Sequence, residues 1–251
     1  MPWQHIRVAR FGGPEVLELA GEQTVPDPGP GEVRIKVLAA GTGFTDTFIR
    51  RGRYRRASAV YARLRSRGCR REDRARRNRP REGQLVADLC VVGGYAQYAI
   101  RPARFLVPVP NEIDPAEAVS IPPAYLTAFQ MLTRCRRLRP GATILVIGAS
   151  GTVGTALLDL ARRLGLEVIG TCSAANAPAV ERFGAVAIDY RAGDFVSAVR
   201  RITSGRKGGA GVDVAFDAIG GAHFSRSFAS LAKGGLLIGY GRKPWRSGVK
   251  A

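Results

Sequence analysis

Histidine and cysteine are scarce in this chain of 251 residues: His5 and His223 of the first, and Cys69, Cys90, Cys135 and Cys172 of the second. The histidines stand in unrelated segments and no two cysteines have C-x-x-C spacing. Neither a catalytic nor a structural zinc site assembles from such a set. Four scattered cysteines also exclude a disulfide framework and fit a reducing compartment, where they fill core space or stand as incidental thiols. No apolar run approaches the ~20 residues of a membrane span, the first ten residues lack a signal-peptide core, and no repeat of solenoid length occurs. These absences predict a cytoplasmic protein with no membrane partner. A His–Asp pair, a nucleophile elbow and paired carboxylates are missing as well, which removes the usual acid–base and nucleophilic constellations.

Acidic residues are also short, 20 against 39 Lys+Arg, for a net charge of +19. A basic excess of this size ordinarily points to nucleic acid or another polyanion. Here it is concentrated. Residues 50–82 hold 15 arginines and no lysine against Glu72, Asp73 and Glu82, so +12 of the charge sits in 33 residues and +7 in all the rest. The segment has almost no apolar periodicity, which reads as a solvated basic loop or as a polyanion-binding insert on an otherwise ordinary fold.

What the chain has is glycine at the right places. Thr143–Ile147 is a short apolar run, the pattern of a buried parallel strand. Residues 152–164 then put Val153, Leu157, Leu158, Ala161 and Leu164 on one helical face. Between them lie Gly148, Ala149, Ser150, Gly151, Thr152, Val153 and Gly154, a G-x-x-G-x-x-G turn. Glycine there permits positive φ and close backbone approach, and the helix start offers free N–H groups and the positive end of its dipole, which suits a diphosphate. Strands at 167–170, 186–190, 212–218 and 236–239 alternate with helices at 177–183, 194–203 and 224–233, the second of these capped by Asp194. Strict alternation predicts a parallel, doubly wound sheet and a dinucleotide-binding turn. An NAD site usually has Asp or Glu at the end of the second strand; Thr171, Cys172 and Ser173 stand there instead, which favours NADP, although Ala174, Ala175 and Ala177 supply no cation for the 2′-phosphate.

The first half is β-rich, with strands at 4–10, 16–19, 32–38 and within 93–109, separated by turns such as Pro26-Asp27-Pro28-Gly29-Pro30-Gly31. Asp114 and Pro115 open a short helix, and residues 124–135 form a longer one leading into the second half. Two domains are expected, 1–122 and 123–251.

Several segments carry a resemblance: Arg10-Phe11-Gly12-Gly13-Pro14-Glu15-Val16-Leu17, residues 41–54, Gly93-Gly94-Tyr95-Ala96-Gln97-Tyr98, Ile121-Pro122-Pro123-Ala124, residues 148–154, Phe216-Asp217-Ala218-Ile219-Gly220-Gly221, and residues 234–241. Together they resemble the medium-chain dehydrogenase/reductase superfamily, in its zinc-free quinone oxidoreductase (zeta-crystallin-like) branch. The resemblance covers nearly the whole chain except residues 55–80 and the tail after Gly241. It implies a GroES-like, alcohol dehydrogenase-like substrate domain followed by a Rossmann domain that binds NADPH, and hydride transfer to a quinone, enone or related carbonyl-conjugated acceptor. Carried over by position, Gly148, Gly151 and Gly154 meet the diphosphate; Ser173 and Tyr190 lie near the 2′-phosphate; Thr127, Ala218, Gly239 and Gly241 line the ribose and nicotinamide. Thr45, Asp46 and Tyr54 face the substrate pocket, with Tyr54, Thr45 or water as proton source. Where zinc-dependent relatives carry a cysteine ligand just before Thr45-Asp46, this chain has Gly43-Phe44. Relatives often form homodimers.

The two gaps in the resemblance share an explanation in the genetic code. Every arginine codon has G in the middle, so one base along it becomes a codon for Val, Ala, Gly, Asp or Glu. Residues 57–80 read one base along allow PLPFTPGYDLVGVVEKIGPGVTDP, family-like at this place. Residues 242–251 read two bases along allow QTMAVGREG. A frame-disrupted and C-terminally shortened member of the family is therefore expected, with arginines in place of an apolar strand region. Its Rossmann half stays recognisable, its sheet edge lies open and its activity is impaired.

Overall fold

The chain was analysed as a computed structural model that describes residues 2–53, 81–90, 92–135, 138–206 and 209–241. It divides into two compact units, Met1–Pro122 and Pro123–Ala251. The arginine-rich segment, Tyr54, Cys69 and the tail lie outside the described residues, and so do both places where a shifted frame is expected.

In the first unit, β1 (Trp3–Val8) pairs antiparallel with β2 (Leu17–Glu22), β3 (Glu32–Lys36) with β5 (Tyr98–Pro102), and the short β4 (Val86–Ala87) with β6 (Val107–Pro108). The backbone of residues 95–97 joins β1 through Ile6 N–H to Tyr95 O and Gln97 N–H to Gln4 O, at 2.8 and 2.9 Å. Helix α1 (Phe44–Arg50) and helix α2 (Pro115–Ser120) complete the unit. The Asp114 carboxylate accepts from Ala116 N–H and Glu117 N–H, and Pro115 stands at the first helical position, where a missing N–H costs nothing. Among the described residues each sheet here has two strands, and the buried hydrophobics are Val16, Ala103 and Leu106. Phe11, Leu19, Leu38, Phe44, Phe105 and Val107 are all more than half exposed. Two-stranded sheets with so little covered apolar surface are marginal by themselves.

The second unit is a Rossmann-like doubly wound α/β sheet. Its elements run α3 (Ala124–Arg134), β7 (Thr143–Ile147), α4 (Thr152–Arg163), β8 (Glu167–Cys172), α5 (Ala177–Glu181), β9 (Val186–Asp189), α6 (Phe195–Ile202), β10 (Val212–Asp217), α7 (Ala222–Ala229) and β11 (Leu231–Gly239). All five strands are parallel, in the order β11-β10-β7-β8-β9. Every residue of β7 is buried, as expected of a central strand covered on both faces. Its side chains alternate. Ile144 and Val146 join a cluster with Ala128 and Leu132 of α3 and Leu157 and Leu158 of α4, while Leu145 and Ile147 pack with Phe195 and Val199 of α6. The order reverses between β7 and β10, so the carboxyl ends flanking that point form the crevice where doubly wound folds place ligands.

Two helices of this unit end two or more residues short of the sequence expectation. Helix α7 ends at Ala229 rather than 233, because β11 starts at Leu231 and then shifts register: Val212 faces Leu231 but Val214 faces Leu236. The extra residues include Gly234, at φ +73°, and Gly235, whose added Cβ would lie 2.9 Å from Val212 O. Helix α5 stops at Glu181 rather than 183, where tight-turn bonds from Phe183 N–H and Gly184 N–H lead into Gly184 at φ +79°.

Candidate functional site

The turn after β7 is built in two halves. Gly148 takes φ +76°, a conformation that glycine alone adopts cheaply. Its N–H donates to Thr171 Oγ1 at 3.1 Å, Ala149 N–H donates to Thr171 O at 2.9 Å, and Gly151 N–H donates to Gly148 O at 3.0 Å. Thr171, buried at the end of β8, thus holds the first half from side chain and main chain at once. The second half is left open. Helix α4 has no side-chain cap, and its first backward bond comes from Thr155 N–H to Gly151 O. Among the described residues the N–H groups of Ser150, Thr152, Val153 and Gly154 therefore have no protein acceptor. Four such donors stand at the positive end of a twelve-residue helix, an arrangement that suits an anion.

The three glycines do different work. A Cβ on Gly151 would meet Gly148 O at 3.2 Å, and one on Gly154 would collide with Gly148 O and lie 2.6 Å from Ala149 O. Gly154 lets the helix start lie against the turn, in addition to offering its N–H. The same close packing extends to Gly170 of β8, whose added Cβ would be 2.7 Å from Ala149 Cβ. Thr171 and Gly170 were not among the expected site residues. The one signal for them was a small and a hydroxylic residue in an otherwise apolar strand.

The remaining expected residues of this unit fall mostly at the carboxyl ends of the strands. Ser173 follows β8, half-buried, and Asn176 three residues on donates from Nδ2 to Ser150 Oγ at 3.2 Å. Tyr190 follows β9; its N–H donates to Cys172 O at 3.2 Å and its ring is exposed. Ala218 follows β10, Gly239 ends β11 opposite Asp217, and Gly241 at φ +80° would bring a Cβ within 3.7 Å of Ala218 O. Thr127 stands apart from the turn on α3, half-buried beside the fully buried Ala128; its N–H donates to Pro123 O.

Asp217, absent from the expected residues, organises the loop after β10. It is 1% exposed. Its Oδ1 accepts from Ile219 N–H at 2.7 Å and Gly220 N–H at 2.9 Å, and its Oδ2 from the buried Ser227 hydroxyl at 2.7 Å. Gly220 and Gly221 follow at φ +68° and +62°. The Tyr240 phenol is pushed up to about 12, first by burial and then by the Asp217 charge. Asp217→Ala strands two amides and a hydroxyl, so a loss of roughly 2–4 kcal/mol is expected in urea unfolding. Asp217→Asn, which keeps an acceptor, should lose less; equal losses would mean that the carboxylate does not hold the loop.

In the first unit, Thr45 is exposed near the start of α1. Asp46 is not a free acid: its Oδ2 accepts from Gly43 N–H at 2.6 Å, holding the helix start, and from the Tyr95 hydroxyl at 2.8 Å. Burial and this bond push the Tyr95 phenol up to about 12, so it remains a donor across the physiological range. Tyr54 lies outside the described residues. Among the described residues no three or more His, Cys, Asp and Glu side chains gather as metal ligands, and the free thiols of Cys90, Cys135 and Cys172 stand apart.

A family model described as a zinc-binding dehydrogenase matches residues 152–248. Over 244 residues the chain is 33% identical to the quinone oxidoreductase of Rattus norvegicus, covering 93% of this chain and 71% of that protein. It is 32% identical to the quinone oxidoreductase of Pseudomonas aeruginosa, covering 95% and 73%. Among solved structures, a mycobacterial protein complexed with NADPH superposes with a TM-score of 0.78 at 32% identity, over 95% of this chain and 74% of its own.

Proposed function

This chain belongs to the quinone oxidoreductase family of the medium-chain dehydrogenase/reductase superfamily, and from that premise we propose that it is a zinc-independent, NADPH-using reductase of quinones, enones or related carbonyl-conjugated acceptors. The observation that carries this reading is the row of amides at the start of α4 left without acceptors. They would hold the diphosphate, with Thr171 keeping the turn in place. The end of β8 lacks the carboxylate that would repel a 2′-phosphate. Ala218 and Gly241 bring no bulk to the loops after β10 and β11, while the space beside Gly239 is taken by the Phe224 ring, 2.9 Å from where a Cβ would lie. NADPH, when bound, supplies the hydride at its C4. The protein contributes position and exclusion of water, and the proton comes from Thr45, Tyr54 or solvent rather than from the engaged Asp46 carboxylate. No helix among the described residues is long and apolar enough to cross a membrane, and a cytoplasmic location is part of the reading.

Titration calorimetry on the full chain should show saturable heat with NADPH, and nicotinamide absorbance should fall on adding benzoquinone. A metal chelator should leave that rate unchanged, since no step passes through zinc; a rate that collapses with chelator and returns with zinc would overturn the metal-free reading. Absence of heat with NADPH and NADH alike would overturn the reading as a whole. The +12 carried by residues 50–82 favours one other reading, a polyanion-binding module on a Rossmann scaffold. That reading requires salt-sensitive nucleic-acid binding that vanishes when residues 50–81 are deleted.

A further inference from the structure

A 2′-phosphate needs a cation, and the residues just past β8 supply none: Ser173, Ala174, Ala175, Asn176 and Ala177 are all uncharged. The fold brings one from the neighbouring strand. β9 pairs with β8 so that Asp189 faces Cys172, and Tyr190 N–H continues the ladder to Cys172 O at 3.2 Å. Arg191 comes next, exposed, with its guanidinium 5.4 Å from the centroid of the Tyr190 ring. From the glycine turn to this arginine the rim is continuous. Ser150 Oγ accepts from Asn176, Asn176 N–H donates to Ser173 O at 2.9 Å, and Ser173 adjoins the strand end on which Tyr190 is paired.

Several other described cations of this unit are engaged or stand at the opposite edge. Arg162 and Arg163 pair with Asp159, Arg206 with Asp213 and Arg226 with Asp194. Arg182 follows α5 and Arg201 lies in the last turn of α6, and the alternation of strand and helix puts both beside the amino ends of the strands. Arg191 forms no ion pair among the described residues, and the nearby Asp189 carboxylate is turned to Arg191's own amide at 3.0 Å. An unpaired guanidinium, steadied on an aromatic face at the carboxyl end of a strand beside the phosphate turn, has the fork geometry and charge for a phosphomonoester.

We propose that Arg191 is the specificity-determining cation of this site: it receives the adenosine 2′-phosphate, with Tyr190 as its platform, and so selects NADPH over NADH. This rests on the dinucleotide reading above. The test is calorimetry on the full chain, comparing wild type, Arg191→Ala and Arg191→Lys with NADPH and with NADH. Arg191→Ala should weaken NADPH about tenfold, toward the lower end for a charge-assisted contact because the site is exposed, and leave NADH unchanged. Arg191→Lys should recover part of the loss, since lysine keeps the charge but not the fork. Wild-type preference for NADPH should shrink as salt rises. Equal weakening of both nucleotides, or no weakening of NADPH, overturns the role of Arg191 and leaves the site standing. Wild type that binds neither nucleotide overturns both.

Discussion

A full-length variant whose residues 57–80 are replaced by PLPFTPGYDLVGVVEKIGPGVTDP is expected to melt about 10 °C higher than the natural chain and to oxidise NADPH roughly tenfold faster with benzoquinone. The first unit has three two-stranded sheets among its described residues and leaves Phe11, Leu19, Leu38 and Phe105 more than half exposed, whereas the second unit buries all of β7. The natural residues 57–80 bring nine arginines and almost no apolar pattern, and guanidinium groups cannot be buried unpaired to cover such side chains. The replacement brings Val, Ile, Leu, Phe and Tyr. Burying even four large apolar side chains is worth about 1.5–3 kcal/mol each before ordering costs, and one kcal/mol moves the melting point of a chain this size by about 2–4 °C. Thr45 and Asp46, which the resemblance places on the substrate side, are on α1 in this unit, so a firmer unit should raise turnover more than nucleotide affinity. Scanning calorimetry and steady-state rates check this. An unchanged melting point with unchanged rate would sink the shifted-frame account of the segment.

The legible part of the chain is the part whose physics is local. Thr143–Ile147 reads as a strand and is one to the residue, because four consecutive buried apolar positions after Thr143 leave no amphipathic helix to compete. Asp194 and Asp114 read as caps because a short carboxylate before a helix has one economical use, and each accepts two amides. The glycine turn was visible as spacing, but the separate tasks of Gly148 and Gly154 depend on what a Cβ would strike, which spacing does not carry. Asp217 was quoted only as part of a motif. Its role depends on Ser227, ten residues away on the next helix, and on two amides of its own loop. Arg191 stayed hidden for the same reason: the missing cation was sought along the chain beyond β8, while strand pairing delivers it from β9. The early start of β11 was missed because a register shift against β10 is a pairing property, not a property of residues 231–235 alone.

Gly154→Val should abolish measurable NADPH binding and lower the melting point. Gly154 sits where α4 leaves the turn, and even the first carbon of a side chain would strike Gly148 O and Ala149 O, both backbone atoms with no rotamer to yield. Relief requires the helix start to move away. The turn it would leave is fixed on its other side by Thr171 and by the collision-limited contact of Gly170 with Ala149, so the shift cannot be shared across the sheet. Overpacking at a rigid backbone costs about 1–3 kcal/mol or more, and a β-branched residue adds the helix-start penalty of a stiff χ1. On the proposed reading binding should suffer more than stability, because the four unengaged amides would serve one phosphate group only while the helix start keeps its place against the turn. Gly151→Ala makes the control: its Cβ would meet Gly148 O at 3.2 Å, a contact that a few tenths of an ångström relieves, so its affinity should fall far less than that of Gly154→Val. Calorimetry with NADPH and thermal melts of both variants decide it. If the two substitutions weaken binding equally, close packing of the helix on the turn is not what aims the amides. If Gly154→Val binds NADPH as the natural chain does, the phosphates lie elsewhere.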